Sequence, residues 1–264
     1  MIDIHSHILP GIDDGASSLE ESLAMARIAV DDGIRVMVAT PHVITGLYPN
    51  TREAILTATE KLQRVLREND VSLSILPGAE YHLEPDLPKW MARGELLTVN
   101  DAGRYLLVEL PAALVPEYTG KVFYELQLQG VTPIIAHPER NIDFAREPGL
   151  LHELVSHGAL VQITAGSLTG LMGSEAVATA RTFLKQGCVH FIASDAHATG
   201  DRAPVLSDAA KEAVQLAGEE EAQNLLTGNP DRAIKGERIQ TGEIKDLRPA
   251  GRGIFSFFRK YLPR

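Results

Sequence analysis

The sequence predicts an α/β fold with a parallel sheet, and three observations support this prediction. Short segments rich in β-branched and aliphatic residues recur along the chain, helical stretches lie between most of them, and several of those stretches end in glycine. Such alternation is typical of βαβ units, whose strands run parallel. The pattern leaves two architectures open, a barrel of about seven or eight strands or an open doubly wound sheet.

The predicted strands have the near-continuous apolar character of strands that are buried on both faces. In chain order they are MIDIHSHI (1–8), IRVMVATPH (34–42), VSLSILPGAE (71–80), RYLLVEL (104–110), VTPIIAHPE (131–139), ALVQITAG (159–166) and CVHFIASDAH (188–197).

The predicted helices show apolar periodicity and recognisable ends. The first spans 17–33, has a capping box at either Ser17 and Glu20 or Ser18 and Glu21, and stops at Gly33. The second spans 51–69 and repeats apolar residues at close to helical period. Three more, at 122–130, 150–158 and 174–187, end in glycine before the next strand.

Composition excludes several classes of protein. A formal net charge of −10 argues against a chain that coats nucleic acid. The lone Cys188 excludes an intramolecular disulfide framework and fits a reducing compartment. The N-terminus lacks the basic and apolar regions of a signal peptide, and no stretch approaches the roughly 20 apolar residues of a membrane span. The expected location is the cytoplasm.

Imidazole and carboxylate side chains recur where six of the seven predicted strands end, the edge at which α/β barrels build active sites. They are His5, His7, His42, Glu80, Glu109, His137, Asp195 and His197, joined by Asp14 in the turn after the first strand. Histidine and carboxylate without thiolate suit Zn²⁺, Mn²⁺ or iron. The set is too large for one four-coordinate ion, which suggests two or three metals that share bridging carboxylates.

Each of these residues also has an ordinary structural explanation. Asp14 precedes Gly15 and fits a turn, Glu80 or Glu109 could cap a helix or form a salt bridge, and an isolated strand-end histidine is usually a core residue. Recurrence over six strands favours the metal interpretation. Of the remaining histidines, His82 could approach the site, whereas His152, His157 and His190 lie at other kinds of position.

Several motifs carry a family resemblance. MIDIHSHILPGIDDGA, ATPHV, PGAEYHL, LLVELP, IIAHPERN and ASDAH resemble the PHP (polymerase and histidinol phosphatase) superfamily. Within it they are similar to the CpsB/CapC-type, manganese-dependent protein tyrosine phosphatases of bacterial exopolysaccharide operons. The resemblance covers residues 1–240 and implies a distorted (β/α)₇ barrel, the PHP fold, with up to three Mn²⁺ ions that Fe, Co or Zn could replace.

The resemblance also implies a ligand set for each ion. His5, His7, Glu80 and Asp195 would hold the first, and Asp14, His42 and His197 the second. Glu80, Glu109 and His137 would hold the third, with Glu80 bridging.

The expected chemistry is hydrolysis of a phosphate ester by a hydroxide held between two cations. A tyrosine phenolate is a good leaving group, so little general acid catalysis is needed. Arg140 and Arg202 are the candidate catalytic residues, placed to bind phosphate oxygens, although Arg140 could instead pair with Glu139 or Asp143. A thiol mechanism is not expected, because Ser194 stands six residues after Cys188 where a C-x₅-R loop requires arginine.

Two other functions remain open from the sequence. The same site would serve a small-molecule phosphatase such as a histidinol phosphatase, and a PHP-like module could be kept for binding alone, although no ligand position is lost. The resemblance implies a phosphotyrosine protein as partner, specifically the tail of a membrane-associated bacterial tyrosine kinase.

The C-terminal segment 241–264 differs from the rest of the chain in being basic and aromatic, as in IFSFFRKYLP. It is predicted as a tail outside the 1–240 domain. Such a tail could contact a membrane surface or a partner groove, or form a final helix packed on the barrel.

Overall fold

The computed structural model describes residues 1–240, and the predicted tail 241–264 lies outside the described residues. The strands of the described part are β1 (Ile2–Ser6), β2 (Val36–Ala39), β3 (His42–Val43), β4 (Ser74–Pro77), β5 (Glu80–His82), β6 (Tyr105–Glu109), β7 (Thr132–Ala136), β8 (Leu160–Thr164) and β9 (Phe191–Ala193). Two predicted strands are therefore broken. Thr40 and Pro41 separate β2 from β3, and Gly78 and Ala79 separate β4 from β5.

The strands form a distorted seven-position barrel. One sheet has the order β1-β2-β4 and the other the order β3-β5-β6-β7-β8-β9, with parallel pairing throughout. Since β3 continues β2 and β5 continues β4, the strand order follows the chain order without reversal. A bridge between Ser6 and Ala196 joins the last position to the first. The barrel prediction is confirmed, because a doubly wound sheet reverses its strand order.

Helices lie over the outside of the barrel, most of them between successive strands and the last three after β9. They are α1 (Leu19–Asp31), α2 (Arg52–Glu68), α3 (Leu87–Ala92), α4 (Thr119–Leu128), α5 (Ile142–Arg146), α6 (Gly149–Ser156), α7 (Ala165–Thr169), α8 (Ser174–Lys185), α9 (Ser207–Ala217), α10 (Glu219–Gln223) and α11 (Asn229–Ile234). None of the helices in residues 1–240 has both the length and the apolar character needed to cross a membrane.

The start of α1 decides between the two predicted capping boxes. Ser18 is the N-cap, and its hydroxyl accepts a hydrogen bond from the amide of Glu21 at 3.3 Å. The pair Ser17 and Glu20 was the wrong alternative, because Ser17 lies one residue too early. The carboxylate of Glu21 instead accepts the amide of Ser17 at 2.9 Å, which extends the cap by one residue.

Two apolar clusters hold the barrel together. The smaller one includes Ile4, Val38, Leu107, Ile134 and Phe191 from five different strands and fills the barrel interior. The larger one packs the helices against the outer faces of the strands. The pairing of β1 with β2 shifts register between residues 3 and 6, an irregularity of the kind that re-aims side chains beside active sites.

Candidate metal centre

The predicted ligands converge around one buried glutamate at the carboxyl ends of the strands. Glu80 has no exposed side-chain surface, and its Oε2 lies 3.2 Å from His5 Nε2, 3.3 Å from His7 Nε2 and 3.0 Å from His42 Nδ1. The other oxygen, Oε1, lies 3.0 Å from His137 Nε2. One carboxylate from β5 therefore touches imidazoles contributed by three other positions of the barrel.

Asp195 and Asp14 add two further carboxylates to the cluster. Oδ1 of Asp195 lies 3.3 Å from His5 Nε2 and 3.4 Å from His7 Nε2. Oδ1 of Asp14 lies 3.5 Å from both His42 Nε2 and His197 Nε2. Asp14 is the more exposed of the two carboxylates, with 47% of its side chain accessible against 1% for Asp195.

Glu109 forms the third side of the cluster. Its Oε1 lies 3.8 Å from His137 Nε2, and its Oε2 lies 4.0 Å from His42 Nδ1. Within the described residues, three groups have ligand atoms that all lie within 4.8 Å of one another: His7, Asp14, His42 and His197; His5, His7 and Glu80; and His42, Glu80 and Glu109. The groups overlap, as expected of ions that share ligands.

Opposite charges compensate one another inside this cluster. Burial disfavours the charged form of Glu80, but the imidazoles of His5 and His137 outweigh it and hold the pKa of Glu80 well below its usual range. Burial acts in the same sense on Asp195, whose pKa is nevertheless lowered by His5 and His7. Against burial, Asp13, Asp195 and Glu80 raise the pKa of His7.

The donor set fits a cluster of divalent cations. His42 Nδ1 and Glu80 Oε2 are fully buried and lie 3.0 Å apart, yet neither has a hydrogen-bond partner. Buried polar atoms without a partner are costly, and a bound cation satisfies such lone pairs. Imidazole and carboxylate without thiolate match Mn²⁺, Fe²⁺ or Zn²⁺.

Two hydrogen bonds fix the rings of His5, in β1, and of His7, directly after it. Nδ1–H of His5 donates to Gln162 Oε1 at 2.8 Å, and Nδ1–H of His7 donates to Asp13 Oδ2 at 2.7 Å. Each bond leaves Nε2 free to face the cluster, which is how metal-ligating histidines are oriented. Sequence reasoning missed Asp13 and Gln162. The available signals were the doubled aspartate of IDDG and a glutamine inside the one strand that supplies no predicted ligand.

The turn after β1 requires its glycine. Asp13 Oδ1 accepts the amide of Gly15 at 2.9 Å, and the amide of Ala16 donates to the carbonyl of His7 at 3.0 Å. A Cβ on Gly15 would lie 2.0 Å from that carbonyl oxygen, so no larger residue fits. The motif HSHILPGIDDG therefore folds back on His7 and brings Asp13 to Nδ1 of its ring.

Two strand-end residues have left-handed backbone conformations that are uncommon outside glycine. His137 has φ of 32° and Asp195 has φ of 53°. Strained conformations of this kind persist where the surrounding structure enforces them and cluster at functional sites. Both occur just after a strand ends, where the His137 side chain reaches Glu80 and the Asp195 carboxylate reaches His5 and His7.

Arg140 and Arg202 meet on the same carboxylate oxygen. Arg140 Nη1 donates to Asp195 Oδ2 at 2.6 Å, and Arg202 Nη2 donates to the same atom at 2.8 Å. Their side chains are 28% and 33% exposed. The alternative pairing of Arg140 with Glu139 or Asp143 was wrong. Glu139 is turned inward and accepts hydrogen bonds from Thr164 and Ser167, while Asp143 accepts the amide of Val115.

The other candidate groups fall outside the cluster. His82 lies at its edge, with Nδ1 3.9 Å from Glu109 Oε2. His152 Nε2–H donates to Gln186 Oε1, and His190 accepts the amide of Val161. Cys188 is buried, which raises the pKa of its thiol to about 12 and makes it a poor nucleophile.

An α/β barrel whose strand ends converge on a buried carboxylate with imidazole partners defines a metal-binding barrel protein. Within this class, the family of the chain can be assigned. The chain belongs to the CpsB/CapC family of capsular polysaccharide synthesis, whose model matches residues 1–235. This membership confirms the resemblance carried by the motifs.

Close relatives cover almost the whole chain. Tyrosine-protein phosphatase YwqE of Bacillus subtilis (strain 168) is 39% identical over 98% of this chain and 100% of its own length. A protein described as a putative tyrosine-protein phosphatase, CapC of Staphylococcus aureus, is 35% identical over 90% of this chain and 93% of its own. A solved structure from work on YwqE and CpsB, described there as unique metal-dependent tyrosine phosphatases, matches with a TM-score of 0.90 at 39% identity, covering 94% of this chain and all of that one.

Proposed function

We propose that this chain is a metal-dependent phosphatase that hydrolyses phosphotyrosine on proteins and acts in capsule or exopolysaccharide synthesis. The observation that carries the proposal is the juxtaposition of two kinds of group on Asp195. One carboxylate oxygen faces His5 and His7 within the candidate metal cluster, and the other is bound by Arg140 and Arg202. Relatives named as tyrosine-protein phosphatases support the same activity.

The proposed ligand sets follow the family resemblance and are supported by the observed proximities. His5, His7, Glu80 and Asp195 serve the first ion; Asp14, His42 and His197 the second; and Glu80, Glu109 and His137 the third. Mn²⁺ is the proposed native metal, with Fe, Co or Zn as substitutes. When bound, the ions supply an activated water at neutral pH and neutralise charge on the phosphoryl group.

The protein's own residues bind and orient the substrate. Arg140 and Arg202 are anchored by Asp195 and partly exposed, so their remaining N–H groups can donate to phosphate oxygens. A planar guanidinium offers several donors in fixed geometry, which suits the changing charge on a phosphoryl group. The phenolate leaving group has a pKa near 10 in water, so it departs with little help from an acid.

The cellular setting is part of the same proposal. The substrate protein is a bacterial tyrosine kinase at the membrane, whose phosphorylated tail reaches a phosphatase in the cytoplasm. Contact of the segment 241–264 with a membrane surface would bring enzyme and kinase together, and this segment lies outside the described residues.

Substrate comparison tests the proposal. The Mn²⁺-loaded protein should hydrolyse a phosphotyrosine peptide with far higher kcat/KM than histidinol phosphate. The reverse order would establish the small-molecule alternative, because both substrates share the metal chemistry. Tight binding of the peptide without turnover, in protein with its full metal content, would instead favour the non-enzymatic module.

A further inference from the structure

Large apolar side chains are exposed unevenly over the barrel. Within residues 1–240, those most exposed are Leu47, Leu114, Leu128, Ile142, Leu171 and Val214. Four of them lie on the face of the candidate metal centre: Leu47 follows β3, Leu114 follows β6, Ile142 follows β7 and Leu171 follows β8. Leu128 and Val214 occupy the last turns of α4 and α9, toward the opposite end. Scattered apolar residues are ordinary, whereas a group of them beside a site indicates an interaction surface.

Leu114, in the loop after β6, and Ile142, at the start of α5, lie on segments that hydrogen bonds join. These two segments together are called here the wall. The side-chain amide of Asn141 donates to the carbonyls of Pro111 and Leu114 at 2.7 and 3.1 Å. The amide of Ile142 donates to the carbonyl of Ala112 at 2.9 Å. The loop after β6 is therefore fastened to the start of α5, and the backbone that carries both exposed side chains is fixed before any partner binds. Such preorganisation lowers the entropic cost of docking.

This wall is continuous with the metal centre. A small cavity at its foot is lined by Glu109, His137 and Arg140 from the site and by Ala112 and Asn141 from the wall. A group that occupied the centre would thus have the wall beside it.

A second apolar element stands next to His42. The ring of Tyr48 stacks on the His42 ring, with centroids 5.8 Å apart and an angle of 11° between the planes. A tight turn holds it there through paired backbone hydrogen bonds between Ile44 and Tyr48, at 3.0 and 2.9 Å. Leu47, at the tip of that turn, is 63% exposed.

We propose that Leu47, Tyr48, Leu114 and Ile142 form a docking surface, called here the mouth surface, for the polypeptide on both sides of a phosphotyrosine. The inference rests on the proposed function and deepens it by naming the substrate class, a phosphotyrosine with apolar neighbours in an extended segment. An extended chain advances about 3.3 Å per residue, so a few residues on each side reach past the metal centre to both elements. A small phosphate ester has no such flanking groups.

The test measures the activity of each protein variant on each of three substrates. The variants are a Leu114→Ser and Ile142→Ser double substitution, Leu47→Ser alone, and a matched control in which Leu128→Ser and Val214→Ser remove exposed apolar groups elsewhere. The substrates are a phosphotyrosine peptide with leucines on both sides, the same peptide with serines there, and para-nitrophenyl phosphate. Each protein is assayed loaded with Mn²⁺.

The mouth surface predicts a specific pattern. Wild type should prefer the leucine peptide, and the double variant should lower kcat/KM for that peptide about tenfold while leaving the serine peptide and para-nitrophenyl phosphate within about twofold. The control should match wild type on all three. If the double variant misfolds and loses turnover of para-nitrophenyl phosphate, the Leu47→Ser variant provides the test, because Leu47 lies on an exposed turn. We expect this variant to lower kcat/KM for the leucine peptide only.

Other outcomes overturn the proposal. Equal kcat/KM for the two peptides in wild type, or an equal effect of the variants on both, would remove the mouth surface while leaving the phosphatase activity intact. Loss of binding to anionic vesicles in the mouth variants, with peptide preference unchanged, would assign the surface to a membrane. Failure of wild type to hydrolyse either peptide, together with turnover of histidinol phosphate, would overturn the proposed function itself.

Discussion

Asp195 is the residue on which the two halves of the site depend. It is buried, has a left-handed backbone, and contacts His5 and His7 through one oxygen and two arginines through the other. The candidate metal ligands and the candidate phosphate-binding groups are therefore fixed relative to each other by a single carboxylate.

Replacement of Arg140 should separate substrate binding from metal binding. In Arg140→Ala the metal content should stay at the wild-type level, because guanidinium is not a ligand and Arg202 still pairs with Asp195. Turnover should fall about 10²–10³-fold with the loss of a preorganised donor, and Arg140→Lys should recover only part of it. Steady-state kinetics beside metal analysis makes the measurement, with Arg181→Ala, which removes a remote ion pair with Glu212, as the control. Wild-type kcat/KM in Arg140→Ala would leave this arginine with a structural role alone.

Substitution of the residues that orient His5 and His7 should lower the affinity of the protein for Mn²⁺. Gln162→Leu and Asp13→Ala should each weaken Mn²⁺ binding about 10–100-fold, whereas Asp13→Asn should cost less because its amide oxygen still accepts from His7. Calorimetric titration of the metal-free proteins measures this without relying on activity.

A matched control exists for that experiment. Gln186→Leu removes a similar histidine–glutamine hydrogen bond, to His152, away from the metal cluster. If it weakened Mn²⁺ binding as much as Gln162→Leu does, the orienting role of Gln162 would be contradicted.

At the scale of the elements, the buried His190 in the segment that leads into β9 makes the free energy of unfolding depend on pH. It is buried just before β9 and accepts the amide of Val161 in β8, and burial lowers its pKa to about 4. The unfolded chain, with an ordinary pKa near 6.5, binds a proton first as the pH falls. Neutral His190 therefore contributes stability above pH 6.5 that is lost as the pH falls toward 4.

The consequence can be measured by urea unfolding at pH 7 and pH 5. His190→Gln should lose less of its free energy of unfolding over this interval than wild type does, by about 2 kcal/mol. The comparison cancels the titration of the metal-site residues, which both proteins share. An equal loss in the two proteins would show that His190 is not held neutral in the fold.

The elements also show how far sequence reasoning reaches. Strand ends could be predicted, because each apolar run stops at a chemically distinctive residue such as His42, Glu109 or His137. The breaks inside two strands could not, since the apolar pattern runs straight through Thr40 and Gly78. The short helices α3, α5, α7, α10 and α11 were not among the predicted helices either, because five or six residues carry too little periodicity. The eleven-residue α9 was also not predicted.

The site residues likewise divide into those that could be predicted from the sequence and those that could not. A ligand that closes a strand is recognisable by type and position, whereas Asp13 and Gln162 act through the direction of their side chains. That direction depends on the fold-back at Gly15 and on the register of β8 beside β7, which are tertiary features. The partner of Arg140 was misjudged for the same reason: sequence neighbours were considered, and Asp195 is brought to it by the parallel pairing of β7, β8 and β9.

For the whole molecule, barrel closure is what assembles the site. His5 lies in β1 and His7 directly follows it, while Asp195 follows the last strand, β9. Backbone hydrogen bonds from Asp195 to His5 and from His7 to Ala196 join these two segments at 2.9 and 2.8 Å. The cluster therefore exists only in the folded barrel, so bound cations should stabilise the native state against unfolding.

The central claim is that phosphotyrosine hydrolysis depends on cations held by this cluster, and one measurement addresses it directly. Metal content and turnover of a phosphotyrosine peptide are determined on the same preparation as isolated, after removal of metal by a chelator, and after Mn²⁺ is restored. We expect turnover to disappear with the metal and to return in proportion to the Mn²⁺ bound, and we expect Glu80→Ala to show neither metal nor turnover. Full turnover by protein demonstrated to be free of metal would contradict the account.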